Sequence, residues 1–240
     1  MKIFNYLSID STNYEAERLL ESGIESGAVT ADFQTLGHGR NGKSWQSSSS
    51  RNIYLTIFNK MPEIWNGKPF ILPQISALAL KKAFSGFVPE EKISIKWPND
   101  ILIDMKKCAG ILGKFKQIDG VFYFIIGIGV NIELPQNAAS CSWPPASLEE
   151  ISGKSLKKEI VTHKIIESFQ EIASKETQII TEAFLHEINW MEGKKIEFSE
   201  ESETWENGKI ISFSSEGSDI TIEKDGVLKR LSTVSIRKIY

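Results

Sequence analysis

The chain has 240 residues, 41% hydrophobic and 25% charged, with a formal net charge of −3. That length suits one or two domains around a sizeable core, and the slight negative balance offers no bulk attraction to nucleic acid or anionic membrane. The N-terminus lacks the apolar stretch of a signal peptide, no run of about 18 apolar residues marks a spanning helix, and the two cysteines, Cys108 and Cys141, have no metal-ligand spacing, so the expectation is a reduced, cytoplasmic protein.

In chain order, "KIFNYLSI" (2–9) predicts a first strand. Thr12 with Glu15 fits a capping box for the helix "NYEAERLLESG" (13–23), which should stop near Gly23 or Gly27. "AVTADFQTL" (28–36) reads as a strand leading into the glycine-rich segment "GHGRNGKSWQSSSS" (37–50), and "RNIYLTIF" (51–58) alternates as a strand does. An apolar helix is predicted over 72–87, with Pro73 near its start. "ISIKW" (93–97) then runs into the turn "PND", and "ILID", "KCAGIL" and "VFYFIIGIGVNI" give three further strands around the turns "DMKK" and "QIDG". Residues 133–147, with Pro135, Pro144 and Pro145, read as a loop. A helical region from Leu156 to Trp190 follows, with one break. Ile160, Ile165, Phe169 and Ile172 should share one face, and Ile179, Ile180, Phe184 and Ile188 a second. Beyond Gly193, short alternating strands separated by the hairpin signals "ENG" and "KDG" predict a small β-barrel. The fold class expected is α/β (α+β): a mixed sheet with helices over 1–190, then a β module over 191–240.

The glycine segment fits both G-x-x-x-x-G-K-[ST] and G-x-G-x-x-G. Either nucleotide-binding reading requires a helix directly after the loop, because its free N–H groups and dipole hold the phosphate. A serine run follows instead, and serines disfavour a helix interior. A protein-kinase reading lacks its H-R-D and D-F-G partners. A loop closing over an anionic ligand suits the residues better than a functionless hairpin. The glycines let backbone approach closely, Arg40 and Lys43 can neutralise phosphate, and Trp45 offers a flat face to a base.

In "KWPND" (96–100), Lys96 is either a solvated lysine or a fixed cation beside a reacting oxygen, while Asn99 and Asp100 shape the turn. Gly127 and Gly129 fall on one face of an apolar strand and mark close approach by a ligand or by a packing element; both readings stay open. Gly110 occupies a similar setting. "DSTN" (10–13) is a helix cap that can also offer a Ser–Thr pair to a polar small molecule. His38, His163 and His186 are scattered and suggest no metal cluster.

Taken in order, "DSTN", "ADFQTLGHGRNGKSW", "KWPND", "KCAGIL" and "GIGVNI" resemble the biotin protein ligases, the biotin–[acetyl-CoA-carboxylase] ligases, from about Asp10 to the C-terminus. "ASLEEISGK" (146–154) looks like the segment opening that family's late helices, and the terminal β module like its SH3-like domain. The resemblance implies two steps: biotin and ATP, with Mg²⁺, form biotinyl-5′-AMP, and a lysine of a biotin carboxyl carrier protein then takes the acyl group. It implies that Ser11, Thr12 and Gln34 meet the ureido ring of biotin and that Asn13 also belongs to the biotin-binding set. Gly37, His38, Gly39 and Arg40 would close over its carboxylate and the α-phosphate. Lys96 would bridge the reacting oxygens, and Gly127 and Gly129 would floor the site. Lys43, Trp45, Lys107 and Asn131 would serve the adenylate. Metal ligands are not assigned, and dimerisation is left open.

Two departures stand out. His38 replaces an arginine of the family's Gly-Arg-Gly-Arg, and Gly113-Lys114 falls where an acidic residue is common. Only about ten residues precede "STN", so an N-terminal DNA-binding domain and DNA binding are not expected. A lipoate-type ligase is the nearest rival, but its Arg-Arg-x-Ser-Gly-Gly-Gly-like loop is absent.

Overall fold

The computed structural model describes residues 1–42, 44–135, 143–200 and 204–240. Strand β1 (Ile3–Ile9) is followed closely by Ser11, whose extended backbone and hydroxyl, accepting from Asn13 N at 3.3 Å, start α1 (Thr12–Glu21). The cap is thus Ser11, one residue earlier than the capping box proposed at Thr12. Glu15 instead accepts from Tyr6 Oη at 2.6 Å and Arg18 Nε at 2.7 Å. Gly23, with φ +89°, turns the chain out of the helix.

Strands β2 (Gly27–Gln34), β3 (Ile53–Lys60), β4 (Ile93–Lys96), β5 (Asp100–Ile103), β6 (Lys106–Ile118) and β7 (Val121–Val130) join β1 in a seven-stranded sheet ordered β1-β2-β3-β7-β6-β5-β4. The β1–β2 pair is parallel and every other pair antiparallel, so the sheet is mixed. Both β6 hairpins turn through positive-φ pairs, Asp104-Met105 and Asp119-Gly120, the geometry that matches strand twist.

Helix α1 covers one face, where Ala16 and Leu20 pack on Val29, Phe58 and Ile125. The opposite face carries α2 (Ile71–Phe84), α4 (Lys158–Ala173) and α5 (Thr177–Ile188). Burial on both faces explains why β7 is apolar almost throughout instead of alternating. The short α3 (Leu148–Ser152) begins at a Ser147 cap, where "ASLEEISGK" was expected to open the late helices. On α4 and α5 the buried stripes are Val161–Ile165–Phe169–Ile172 and Ile180–Phe184–Ile188. Ile160 and Ile179, assigned to those stripes from spacing, point to solvent.

Strands β8 (Lys195–Ser199), β9 (Glu206–Phe213), β10 (Ile220–Lys224), β11 (Val227–Leu231) and β12 (Ser235–Ile239) form a second, antiparallel sheet ordered β11-β10-β9-β8-β12, consistent with the SH3-like module expected. "KDG" is the β10–β11 hairpin turn, with Asp225 and Gly226 at positive φ. "ENG" is not a turn. It lies inside β9, because Gly208 packs where a Cβ would sit 2.6 Å from Ile222 and 2.9 Å from Phe198. The two sheets are tied together by Trp97 Nε1 donating to Gly217 O at 3.0 Å and by Gln74 Nε2 donating to Glu216 O.

Candidate active site

The β6–β7 register sets Gly110 opposite Gly129 and Leu112 opposite Gly127, so the three glycines make a bare trough on the α1 face of the sheet. Side chains from elsewhere fill it. A Cβ on Gly127 would lie 2.6 Å from Asn13 Oδ1; one on Gly110 would lie 2.8 Å from Trp45, and one on Gly129 would overlap the Trp45 indole. The glycines therefore let Asn13 of α1 and the loop tryptophan pack directly against the sheet.

Above the trough is a cavity of about 510 Å³. Of the residues singled out from the sequence, Ser11, Thr12, Asn13, Gln34, His38, Gly39, Arg40, Trp45, Lys96, Lys107, Gly127, Gly129 and Asn131 line it. Gly37 does not: it packs on Trp45 O and Gln34, and its own O accepts from Trp45 N at 3.0 Å. Lys43 lies outside the described residues.

One end is polar and buried. Gln34 Oε1 accepts both Thr12 N (2.8 Å) and Thr12 Oγ1 (3.0 Å), while Thr56 Oγ1 lies 2.8 Å from Thr12 Oγ1 and donates to Asn13 Oδ1 at 2.6 Å. Thr56, buried on β3, was not anticipated; only its alternation with Leu55 and Ile57 marks it.

The other end is cationic. Lys96 and Asp100 are paired across the β4–β5 hairpin, and Asp100 binds Lys96 Nζ at 2.8 Å and Lys107 Nζ at 2.6 Å. Asp100 is thus more than a turn residue: it is the buried carboxylate between two lysines. Burial alone would raise its carboxyl, but Lys107 and Lys96 overcome that and hold it below the ordinary carboxylate range. Burial pulls the Lys96 ammonium down, and Asp100 opposes the fall. The Lys96 side chain is 5% exposed and that of Lys107 28%. Lys107 is therefore the freer of the two to meet a ligand oxygen. Arg40, its guanidinium also pulled down by burial, donates to Asn99 Oδ1 at 3.2 Å, and Asn99 Nδ2 holds Ile111 O at 2.7 Å.

Aromatic walls complete the cationic end. Lys107 Nζ lies 5.5 Å from the Trp45 ring and Lys96 Nζ 4.8 Å from that of Trp143. Trp143 and Pro145 come from the 143–147 segment, which pairs with β6 through Lys107 N to Pro144 O (2.7 Å) and Ala146 N to Lys107 O (2.9 Å). Asn131, expected on the adenylate side, does line the cavity, but its Nδ2 is directed to Ala146 O at 3.1 Å, so it also anchors this segment. Val234, Ser235 and Ile236 add a wall from the second sheet. Trp143 and this wall carry no local motif and went unrecognised in the sequence. Lys114, the charge departure, lies off the cavity in an ion pair with Glu17 of α1.

Within the glycine segment the chain makes a single 3₁₀ turn (Arg40–Gly42), and residues 44–52 lead on to β3. Among the described residues no helix follows the glycines before β3, as an NTPase phosphate loop requires, and that reading is excluded. Among the described residues no group of three or more His, Cys, Asp or Glu is placed to hold a metal, and no helix is long and apolar enough to cross a membrane.

Comparison with known proteins agrees with this geometry. The chain is 34% identical over 173 residues to the bifunctional ligase/repressor BirA of Bacillus spizizenii, covering 68% of this chain and 51% of that protein. It is 33% identical over 155 residues to the biotin–[acetyl-CoA-carboxylase] ligase of Paracoccus denitrificans, covering 62% and 64%. The chain thus spans about half the length of the ligase/repressors it matches. The biotin protein ligase of Aquifex aeolicus, solved in complex with biotin and ATP, superposes over 99% of both chains with a TM-score of 0.74 at 26% identity. The sequence profile of the biotin/lipoate A/B protein ligases matches residues 5–131, more than half of the chain, and the protein belongs to that family.

Proposed function

We propose that the protein activates biotin with ATP and transfers it to a lysine of a biotin carboxyl carrier protein. The observation that carries this reading is one cavity with two unlike ends. Thr12, Asn13 and Gln34 present a buried hydrogen-bonding end, while Lys107, Lys96 and Arg40 gather cations at the other. A ureido ring joined by an alkyl chain to a carboxylate has that same polarity. A dithiolane ring does not, so the polar end favours biotin over lipoate. The relatives named for biotin support the same choice.

In the first step the biotin carboxylate oxygen attacks the α-phosphorus of ATP and pyrophosphate departs, giving biotinyl-5′-AMP. In the second, a carrier lysine attacks the acyl carbon and AMP leaves. Neither step needs a protein nucleophile. The chain's contribution is to orient the reactants, neutralise charge and exclude water. Lys107 meets the carboxylate and phosphate oxygens directly, Asp100 aims it, and Lys96 keeps the cluster cationic from behind. Arg40 clamps the phosphate from the loop. Trp45 and Trp143 offer ring faces to the adenine. The described residues offer no metal cradle, and Asp100 is already bound by two lysines. Mg²⁺ is accordingly read as a companion of the nucleotide's phosphates.

Carrier docking near the cavity mouth by strand pairing, a cytoplasmic location, and a division into a catalytic unit over 1–190 and a terminal unit over 191–240 belong to the same proposal. Competition of labelled biotin by unlabelled biotin and by lipoate tests it. Biotin alone should displace the label, by a margin of about 10⁴ where buried polar groups would be left unpaired. Equal displacement by lipoate would reverse the assignment. Within the site, Lys107→Ala should slow adenylation more than Lys96→Ala; the opposite order would return the bridging role to Lys96.

A further inference from the structure

The glycine loop is held from two sides, and one of its anchors, Tyr14, lies outside the site described above. On the cavity side Arg40 reaches Asn99. On the α1 side the His38 ring stacks on Tyr14, with centroids 4.9 Å apart and planes 26° from parallel. Tyr14 sits in the first turn of α1, 40% exposed, and does not line the cavity. Its ring is also met by Lys114 Nζ at 5.5 Å, and Lys114 is fixed by Glu17 one turn along the helix. Backbone contacts carry the stack into the rest of the loop: His38 bridges Ser44, and Gly37 O accepts from Trp45 N at 3.0 Å. Holding His38 therefore holds the segment that delivers Trp45 to the glycine trough.

We propose that Tyr14 is a positioning residue that clasps the glycine loop through His38 and so sets how long a bound acyl-nucleotide stays enclosed. Tyr14 touches neither reactant; it acts on the loop. The proposal rests on the function proposed above only for its second readout, since the clasp exists without a ligand.

The first measurement is tryptic cleavage of the 37–45 segment in the ligand-free protein, followed by mass spectrometry. Tyr14→Ala should be cut about 2- to 10-fold faster, the worth of one aromatic pair. Tyr14→Phe, which keeps the ring, should match the parent, while Tyr14→Leu, which keeps helix propensity and apolar bulk, should behave like the alanine variant. His38→Ala should be as labile as Tyr14→Ala, and the double variant no worse than either single change. The second measurement is release of preformed biotinyl-5′-AMP, which should quicken in the same variants by a similar factor. Parent-like protection of Tyr14→Ala, a Phe variant as labile as the Ala variant, or additive single effects would each overturn the clasp. If cleavage follows the expected pattern but no acyl-adenylate forms, the clasp stands and the proposed activity falls.

Discussion

Replacing Asp100 with Asn separates a turn residue from an electrostatic one. The carboxylate binds Lys96 at 2.8 Å and Lys107 at 2.6 Å, with its own side chain 10% exposed. Removing one partner of a buried ion pair costs about 3–5 kcal/mol; Asn keeps the shape and one acceptor, which favours the lower figure. For a domain of this size each kcal/mol moves the melting temperature by about 2–4 °C, so a fall of roughly 6–12 °C is expected. The chemistry should suffer separately, because Lys107 loses the group that aims it. A missing preorganised charge contact slows such a step by about 10²–10³-fold. The pH dependence gives a third signature. Burial depresses Lys96 and Asp100 restores it, so without the carboxylate the ammonium gives up its proton at lower pH. The alkaline limb of the adenylation profile then moves toward neutrality. Melting curves and pyrophosphate exchange across pH test all three. An Asp100→Asn variant with parent-like melting and an unmoved alkaline limb would show that Asp100 only shapes the turn.

Three further outcomes follow from the geometry. Gly129→Ala places a methyl into the Trp45 indole, so the nucleotide KM should rise with little loss of stability, measured by ATP titration and melting; a stability loss with unchanged nucleotide affinity would make Trp45 mere packing. Asp10, lowered to about 2 by its hydrogen bond from Arg18, contributes stability that is present above the ordinary carboxylate value and lost as pH falls toward 2. Its gap to Arg18→Met should shrink over that window and, at this exposure, not exceed about 1 kcal/mol; a gap undiminished between about pH 5 and pH 2 would contradict the assignment. Arg40→Gly should release acyl-adenylate faster by losing the phosphate clamp, and an unaltered release rate would remove Arg40 from that role.

The strands, the main helices and most of the cavity lining were legible because each is local. A serine before a helix, glycines two apart on a strand and a lysine ending one all announce themselves within a few residues. What was missed depends on register and tertiary contact. Asp100 looked like turn chemistry because its partners become visible only when β5 lies between Lys96 and Lys107. "ENG" has hairpin chemistry, yet Gly208 is required inside β9 by Ile222 and Phe198, and packing overrode the turn signal. Trp143 and the 234–236 wall reach the cavity from distant parts of the chain, with no motif to mark them. The glycine trough was recognised, but its occupant was not, since nothing local shows that Asn13 and Trp45 fill it.

Biotin-dependent exchange of labelled pyrophosphate into ATP tests the central claim most directly. Exchange should require biotin together with ATP and should collapse in Lys107→Ala. Turnover of ATP that ignores biotin, or exchange supported equally by lipoate, would contradict the assignment.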